Sequence, residues 1–410
     1  MFLGRDTRLS GSMLSAAFAS GVAAQGLDVV DLGIVPTPYV AFVSAGAGAG
    51  AAGAVVSASH NPFADNGIKL FAAGGSKLSD DEEAAIEEHL HSGVTSRLSG
   101  KRIGRVTGAA LELGRYVEKL TGGIQSRSLR GVRVVLDVAN GAAVTTAEEV
   151  FAAAGATVVE VLGANPDGTN INSGCGSNDT RLLSEAVRRT RATLGLAFDG
   201  DADRVVAVDE EGATVDGDRL VAMLAADLQS RGRLAGNGVA VTVMSNLGLH
   251  EALHDLGVQI EVTQVGDRNI LEALARRGWS LGGEQSGHIV LRDLATTGDG
   301  VLTGLLLADL VLRSDRPLSE LSAGCMRSFP QVLINVAVAH KDQLEGAQEV
   351  WSEVSTLQGE LEGRGRVVLR PSGTENLVRV MVEADTDQTA AEGAERLATA
   401  VVRALGSLPS

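Results

Sequence analysis

Apolar and polar positions along the 410 residues change period repeatedly, and the changes mark out alternating strands and helices. "VRVVLDV" (132–138) is a short β-branched run, a helical stretch follows to Ala154, and "TVVEV" (157–161) returns to strand spacing. The same order recurs downstream. "GVAVTVM" (238–244) leads through a helix near 247–256 into "QIEVT" (259–263), and a further helix precedes "WSLGGE" (279–284). Nearer the start, "LDVVDLG" (27–33) and "AGAVVSAS" (52–59) bracket a helix. "LSDDEEAAIEEHL" (78–90) opens with Ser79 and Glu82 at capping-box spacing. Strands alternating with helices predict parallel sheets with crossover helices. The last eighty residues differ: two strands, "RVVLR" (366–370) and "LVRVMVEA" (377–384), lie among longer amphipathic stretches, an α+β pattern. The expected architecture is α/β: three related α/β domains with mixed, mainly parallel sheets, over 1–112, 113–216 and 217–325. A C-terminal α+β domain over 326–410 completes them around a central cleft.

Composition agrees with this picture and narrows the chemistry. Few aromatics and 51 glycines suit small-residue α/β layers. A formal charge of -16 without a basic tract argues against nucleic acid and anionic membranes as partners, so an anionic small molecule needs a local Arg or Lys cluster. Residues 32–59 carry no charge, but Pro36, Pro38 and the Gly/Ala-rich run make them too weakly apolar for a membrane span; they read as a helix and a buried strand. Cys175 and Cys325 match no metal or redox spacing and fit unpaired thiols in a reducing cytoplasm.

Four stretches carry candidate chemistry. "DGDADR" (199–204) follows the buried run "LGLAF" and puts Asp199, Asp201 and Asp203 at period two, three hard oxygen donors suited to Mg²⁺ or a similar cation. A calcium loop is the rival, but Arg204 stands where that loop needs glycine and the strand "VVAV" follows. "GGEQSGH" (282–288) places Glu284, Ser286 and His288 at the end of a strand, the usual ligand position of open α/β sheets. "RPSGTENLVR" (370–379) gathers Arg370, Ser372, Gly373, Thr374 and Arg379, the donors a phosphate needs, although alone it fits an ordinary turn. "SASHNP" (57–62) ends a buried strand on an exposed hydroxyl, Ser59, next to His60. A hydrolase triad is excluded there, because adjacent side chains in an extended chain point apart. Beside a metal site and a phosphate clamp, Ser59 reads as a carrier of a phosphoryl group.

In this order the four motifs resemble the signatures of the α-D-phosphohexomutase family, one per domain, over essentially the whole chain. "NINSGCGS" (170–177), "VMSNLGL" (243–249), "VGDRN" (265–269) and "TTGDG" (296–300) are most similar to the branch that interconverts glucosamine 6-phosphate and glucosamine 1-phosphate. The resemblance implies phosphoserine at Ser59 and one Mg²⁺ per chain held by Asp199, Asp201, Asp203 and the serine phosphate. It also implies that His60, Lys69 and Arg204 contact the phosphoserine or assist proton transfer. Asp267, Arg268, Glu284, Ser286 and His288 then bind the sugar substrate, and Arg370, Ser372, Gly373, Thr374 and Arg379 its non-transferring phosphate. A hexosamine phosphate and a sugar 1,6-bisphosphate intermediate are the implied partners, and the cytoplasm the implied compartment. Alternatives are glucose or mannose phosphate as substrate, and a weakly active or non-catalytic sugar-phosphate-binding remnant. The last arises because family members usually precede the segment matching "MFLGRDTRLSG" with a strand, a "GTDGxRG"-like loop and a helix. Without them, domain one is expected to expose a sheet edge and an apolar face.

Overall fold

The computed structural model describes the chain apart from residues 49, 94–97, 110–112, 373–375 and 407–410, and the side chain of residue 80. Three sheets repeat one topology. The first contains β1 (Phe2–Arg5), β2 (Val29–Ile34), β3 (Gly53–Val56), β4 (Ile68–Phe71) and β5 (Val106–Gly108), in the order β4-β3-β1-β2-β5. The second contains β6 (Arg133–Asp137), β7 (Thr157–Leu162), β8 (Leu194–Phe198), β9 (Val205–Val208) and β10 (Thr214–Val215), in the order β10-β9-β8-β6-β7. The third contains β11 (Gly238–Thr242), β12 (Gln259–Thr263), β13 (Leu281–Gly283) and β14 (Ile289–Leu291), in the order β12-β11-β13-β14.

In each, the first strand lies between two parallel neighbours, and a hairpin then adds an antiparallel fourth strand: β3 to β4, β8 to β9, β13 to β14. The inner strands are apolar throughout because helices cover both faces, as "GAVV" and "LGLAF" show by being wholly buried. Leu3, Val29, Ala54 and Val56 pack on Leu14, Phe18 and Val22 in the first repeat. Ala240, Val290, Ile270, Leu274 and Trp279 do the same in the third. The topology puts the turn after the third strand in one place in every repeat, and that turn carries the motif: 57–67, 199–204 and 284–288.

The uncharged stretch 32–59 forms the helix Thr37–Gly46 and β3, and no helix among the described residues is long and apolar enough to cross a membrane. Ser79 and Glu82 form both halves of the capping box on the helix Asp80–Ser92. β5, at one edge of its sheet, is exposed along its length. Beside it, Ala16, Ala19, Ala23, Ile103 and Val106 line an open groove of about 680 Å³.

The three sheets belong to one compact unit, residues 1–242 and 258–325; the second unit comprises 243–257 and 326–410. Among its described residues the second unit has three strands rather than the two expected: β15 (Gln331–Ala337), β16 (Arg366–Pro371) and β17 (Leu377–Glu383), all antiparallel in the order β15-β17-β16. "QVLINVA" alternates only weakly, being half exposed, which hides it from periodicity. The helices Gln348–Glu360 and Asp387–Leu405 cover one face of this sheet through Val336, Val378, Val380 and Val382. The helix Leu247–Asp255 joins the unit through its first turn. Asn246 Oδ1 accepts the Phe329 N–H at 3.1 Å, Asn246 Nδ2 donates to the Phe329 carbonyl at 2.9 Å, and the Leu247 N–H donates to Glu383 at 3.1 Å.

Candidate active site

The turn after β8 is not an extended, period-two segment. Ala202 takes a left-handed conformation (φ +60°), and the curl gathers the carboxylates of Asp199, Asp201 and Asp203 so that one oxygen of each lies within 4.8 Å of the others. All three are buried, and Asp201 Oδ1 and Asp203 Oδ1 have no hydrogen-bond partner among the described residues. Buried carboxylates this close repel, and unpaired oxygens inside a protein are costly, so the cluster suits a divalent cation bound through oxygen. Lys69 on β4 answers part of the charge: its Nζ donates to Asp201 Oδ2 at 2.6 Å and to Asp203 Oδ2 at 2.8 Å. Burial alone would lower the Lys69 pKa, but Asp201, Asp203 and Asp199 outweigh it and raise it. Burial, and then Asp203 and Asp201, push Asp199 well above the carboxylate range, whereas Lys69 and His288 outweigh burial at Asp203 and hold it well below.

Ser59 joins this cluster from the neighbouring repeat. It is buried rather than exposed, at 8% accessibility, and its Oγ donates to Asp199 Oδ2 at 2.5 Å. The expectation that His60 points away from it also fails. The chain turns left-handed at Ser59 (φ +52°) instead of staying extended, so His60 Nδ1 comes within 3.5 Å of Ser59 Oγ. Burial and then the Arg204 charge lower the His60 pKa. Arg204 closes its own turn by donating its N–H to Asp199 Oδ1 at 3.1 Å, and its guanidinium lies 3.9 Å from Asp203.

The third repeat brings His288 to the same place. Its Nδ1 is 3.6 Å from Asp203 Oδ1 and its Nε2 is 3.6 Å from Asp267 Oδ2. Gly298 of "TTGDG" packs under the ring, where a Cβ would lie 2.5 Å from Cε1. Glu284 is oriented by the Gly266 N–H (3.0 Å) and by Ser286 Oγ (3.2 Å). Asp267 also pairs with Lys77, and Arg268 with Glu83 at 2.5 Å, so "VGDRN" meets the first repeat. Thus Ser59, His60, Lys69, Asp199, Asp201, Asp203, Arg204, Asp267 and His288 form one connected group.

The remaining residues lie in the second unit. Arg370 on β16 pairs directly with Arg379 on β17, on the face opposite the helices. Like charges opposed across a ladder destabilise a sheet unless an anion sits between them. Ser372 is buried, and its carbonyl accepts from Lys341 Nζ at 3.0 Å, adding a third cation. Gly373 and Thr374 lie outside the described residues.

Several groups at these sites belong to no motif. Thr37 donates through Oγ1 to Asp201 Oδ2 at 2.5 Å, and Lys341 is remote in sequence from the hairpin it serves. Asp6 and Arg8 are buried beneath the serine loop. Their signal was present in "GRDTR", where charges follow directly on a buried strand.

Carboxylates able to hold a cation, set against the Ser59 hydroxyl among a lysine, an arginine and imidazoles, suit an enzyme that moves phosphoryl groups. Comparison with known proteins is more specific. Models of the phosphoglucomutase/phosphomannomutase alpha/beta/alpha domains I, II and III match residues 1–96, 114–212 and 216–329, and the model of the C-terminal domain matches 333–400. The chain belongs to the phosphoglucomutase/phosphomannomutase family, as its four motifs indicated, and is a phosphomutase. It is 50% identical to the phosphoglucosamine mutase of Saccharopolyspora erythraea over 97% of this chain and 89% of that protein. Identity to the Desulforudis audaxviator phosphoglucosamine mutase is 46%, over 98% and 89%. Among solved structures, a family protein from Burkholderia thailandensis has the same fold, with a TM-score of 0.82 at 24% identity over 98% of this chain and 89% of that one. The N-acetylphosphoglucosamine mutase of Aspergillus fumigatus, solved with GlcNAc-6P and magnesium, superposes with a TM-score of 0.68 at 20% identity, over 90% and 93%.

Proposed function

We propose that the chain interconverts glucosamine 6-phosphate and glucosamine 1-phosphate through a phosphorylated Ser59 and a sugar 1,6-bisphosphate intermediate. The observation that carries this reading is the seating of Ser59 Oγ on Asp199, inside the three-carboxylate cluster. The names of relatives 46% to 50% identical support the choice of sugar. Four domains, bounded near 112, 216 and 325, supply one loop each.

In the forward half-reaction a sugar hydroxyl oxygen attacks the phosphorus on Ser59. The new P–O bond forms as the bond to Ser59 Oγ breaks, and the hydroxyl proton passes to a nearby base. His60, 3.5 Å from the Oγ, and His288, between Asp203 and Asp267, would take and return that proton. Lys69 and Arg204 offset charge on the phosphoryl oxygens, and Glu284 with Ser286 orients the sugar hydroxyls. Mg²⁺ held by Asp199, Asp201 and Asp203 would supply Lewis-acid neutralisation of the phosphoserine. The bisphosphate then turns end for end, and its other phosphate returns to Ser59. Arg370, Ser372, Arg379, Gly373 and Thr374 hold whichever phosphate is not reacting.

The test is the covalent state of Ser59. Intact-mass analysis of protein incubated with glucosamine 1,6-bisphosphate should show one added phosphate. Ser59→Ala should show none and lose more than about a thousandfold in turnover, because no covalent carrier remains. Near-normal turnover by Ser59→Ala would remove the phosphoserine from the mechanism.

A further inference from the structure

The residue that carries the hydroxyl, Ser59, has both of its backbone polar groups tied down, and Asp6, Arg8 and Asn172, which make or back those ties, lie outside the four motifs. The Ser59 N–H donates to Ser57 Oγ at 2.9 Å, and Ser57 Oγ donates in turn to Asp6 Oδ2 at 2.6 Å. The Ser59 carbonyl accepts from Arg8 Nη2 at 3.0 Å and from Asn172 Nδ2 at 2.9 Å. The same two side chains reach the next carbonyl but one, that of Asn61, at 2.8 and 3.1 Å. Arg8 Nη1 donates to the carbonyls of Pro62 and Asp65, and its Nε to Asp6 Oδ2 at 2.9 Å.

One guanidinium therefore gathers four carbonyls of a single loop, with its side chain and that of Asp6 wholly removed from solvent. Gly200, in the carboxylate turn, leaves space for the arrangement, since a Cβ there would sit 2.6 Å from the Ser59 carbonyl oxygen. The conformation so held is the left-handed turn at Ser59, which a residue with a Cβ adopts only when its surroundings impose it. In an extended chain the hydroxyl and the imidazole of His60 would diverge.

We propose that Arg8 and Asn172 are positioning residues for phosphoryl transfer: by clamping the carbonyls of Ser59 and Asn61 they hold the turn that aims Ser59 Oγ at Asp199 and brings His60 beside it. This rests on the proposed role of Ser59. The Arg8 side chain is wholly buried and the Asn172 amide is engaged with two loop carbonyls, so their work is geometric and belongs in kcat. Lysine at position 8 keeps the charge but has too few donors in the wrong geometry to bridge four carbonyls and Asp6.

The experiment pairs amide hydrogen exchange over residues 58–66 with steady-state kinetics on glucosamine 6-phosphate, for Arg8→Lys, Asn172→Ala and the double variant. Exchange in the loop should quicken at least about tenfold. A misplaced nucleophile should lower kcat about a hundredfold in Arg8→Lys and about tenfold in Asn172→Ala, with KM within about threefold of wild type. The double variant should lose less than the product of the two, since both side chains hold the same carbonyls. Unchanged exchange, faster exchange with unchanged kcat, or an effect confined to KM would each overturn the proposal. Should Arg8→Lys fail to fold, Asn172→Ala, which removes only two of these ties, decides the matter. If the wild type does not turn over glucosamine phosphates, the proposed function fails. Loop exchange, together with uptake of phosphate by Ser59 from a sugar 1,6-bisphosphate, then decides this proposal separately.

Discussion

Asp201 shows how closely charge is balanced at the level of single residues. One of its oxygens is taken by Lys69 and Thr37, while the other is buried without a hydrogen-bond partner among the described residues. Asp201→Asn keeps the shape but removes one charge from a three-carboxylate site, and the amide places an N–H where Lys69 or the cation needs an acceptor. Turnover should fall about a hundredfold and recover little in excess Mg²⁺, because a refilled site still lacks one negative charge and turns an amide N–H toward Lys69. A wild-type Mg²⁺ titration would show that the cluster holds no catalytic cation. Among single residues, the sequence picked out side chains that the structure gathers, but not their conformations. Ser59 looked exposed because serine at a strand end usually is, and its left-handed turn depends on Arg8 and Asn172, which no local pattern ties to it.

At the scale of elements, the helix Gly300–Ser314 starts behind the site, and Asp299 caps it by accepting the Leu302 N–H at 3.0 Å. Its second oxygen accepts from Tyr116 at 2.6 Å, and burial pushes its pKa up to about 6. The folded state thus binds this proton more tightly than the unfolded chain, where the group titrates near 4. Between those values the folded state holds more protons, so this group's contribution to stability falls as pH rises. The loss amounts to about 3 kcal/mol by pH 7. Asp299→Asn keeps the cap and can donate to the Tyr116 hydroxyl, but it does not titrate. The thermal midpoint of the variant minus that of wild type should therefore increase from pH 4 to pH 7, and a constant difference would place Asp299 among ordinary surface acids. The hairpin of β16 and β17 makes a second element-scale case. Arg379→Ala leaves Arg370 without its opposed twin, relieving cross-strand repulsion while removing one fork from the proposed phosphate clamp. The affected phosphate is bound in ground and transition states alike, so KM should rise about ten- to a hundredfold with kcat changed only a few-fold. An unchanged KM for glucosamine 6-phosphate would exclude the hairpin from substrate binding. The strands were legible where they are buried, as in β6, β8 and β11, because helices on both faces make a run continuously apolar. β15, half exposed, and β1, only four residues long, fell below that signal.

For the whole molecule, the repeat explains why widely separated motifs act together. Each of three sheets turns back after its third strand, and the turns after β3, β8 and β13 bring Ser59, Asp199 to Arg204, and His288 into one group. The recurrence of strand and helix predicted related domains. What it could not predict was that the three turns converge, since that depends on packing between repeats, such as Thr37 on Asp201 and Lys77 on Asp267. In the proposed cycle transfer is reversible, and phosphate never leaves as inorganic phosphate. ³¹P NMR of the purified chain with Mg²⁺, glucosamine 6-phosphate and a trace of glucosamine 1,6-bisphosphate tests it directly. The 1-phosphate resonance should grow to a steady ratio with the 6-phosphate, reached equally from either side, with no inorganic phosphate appearing. Accumulation of inorganic phosphate, or an unchanging 6-phosphate spectrum under conditions where Ser59 is phosphorylated, would rule out a phosphoserine mutase cycle.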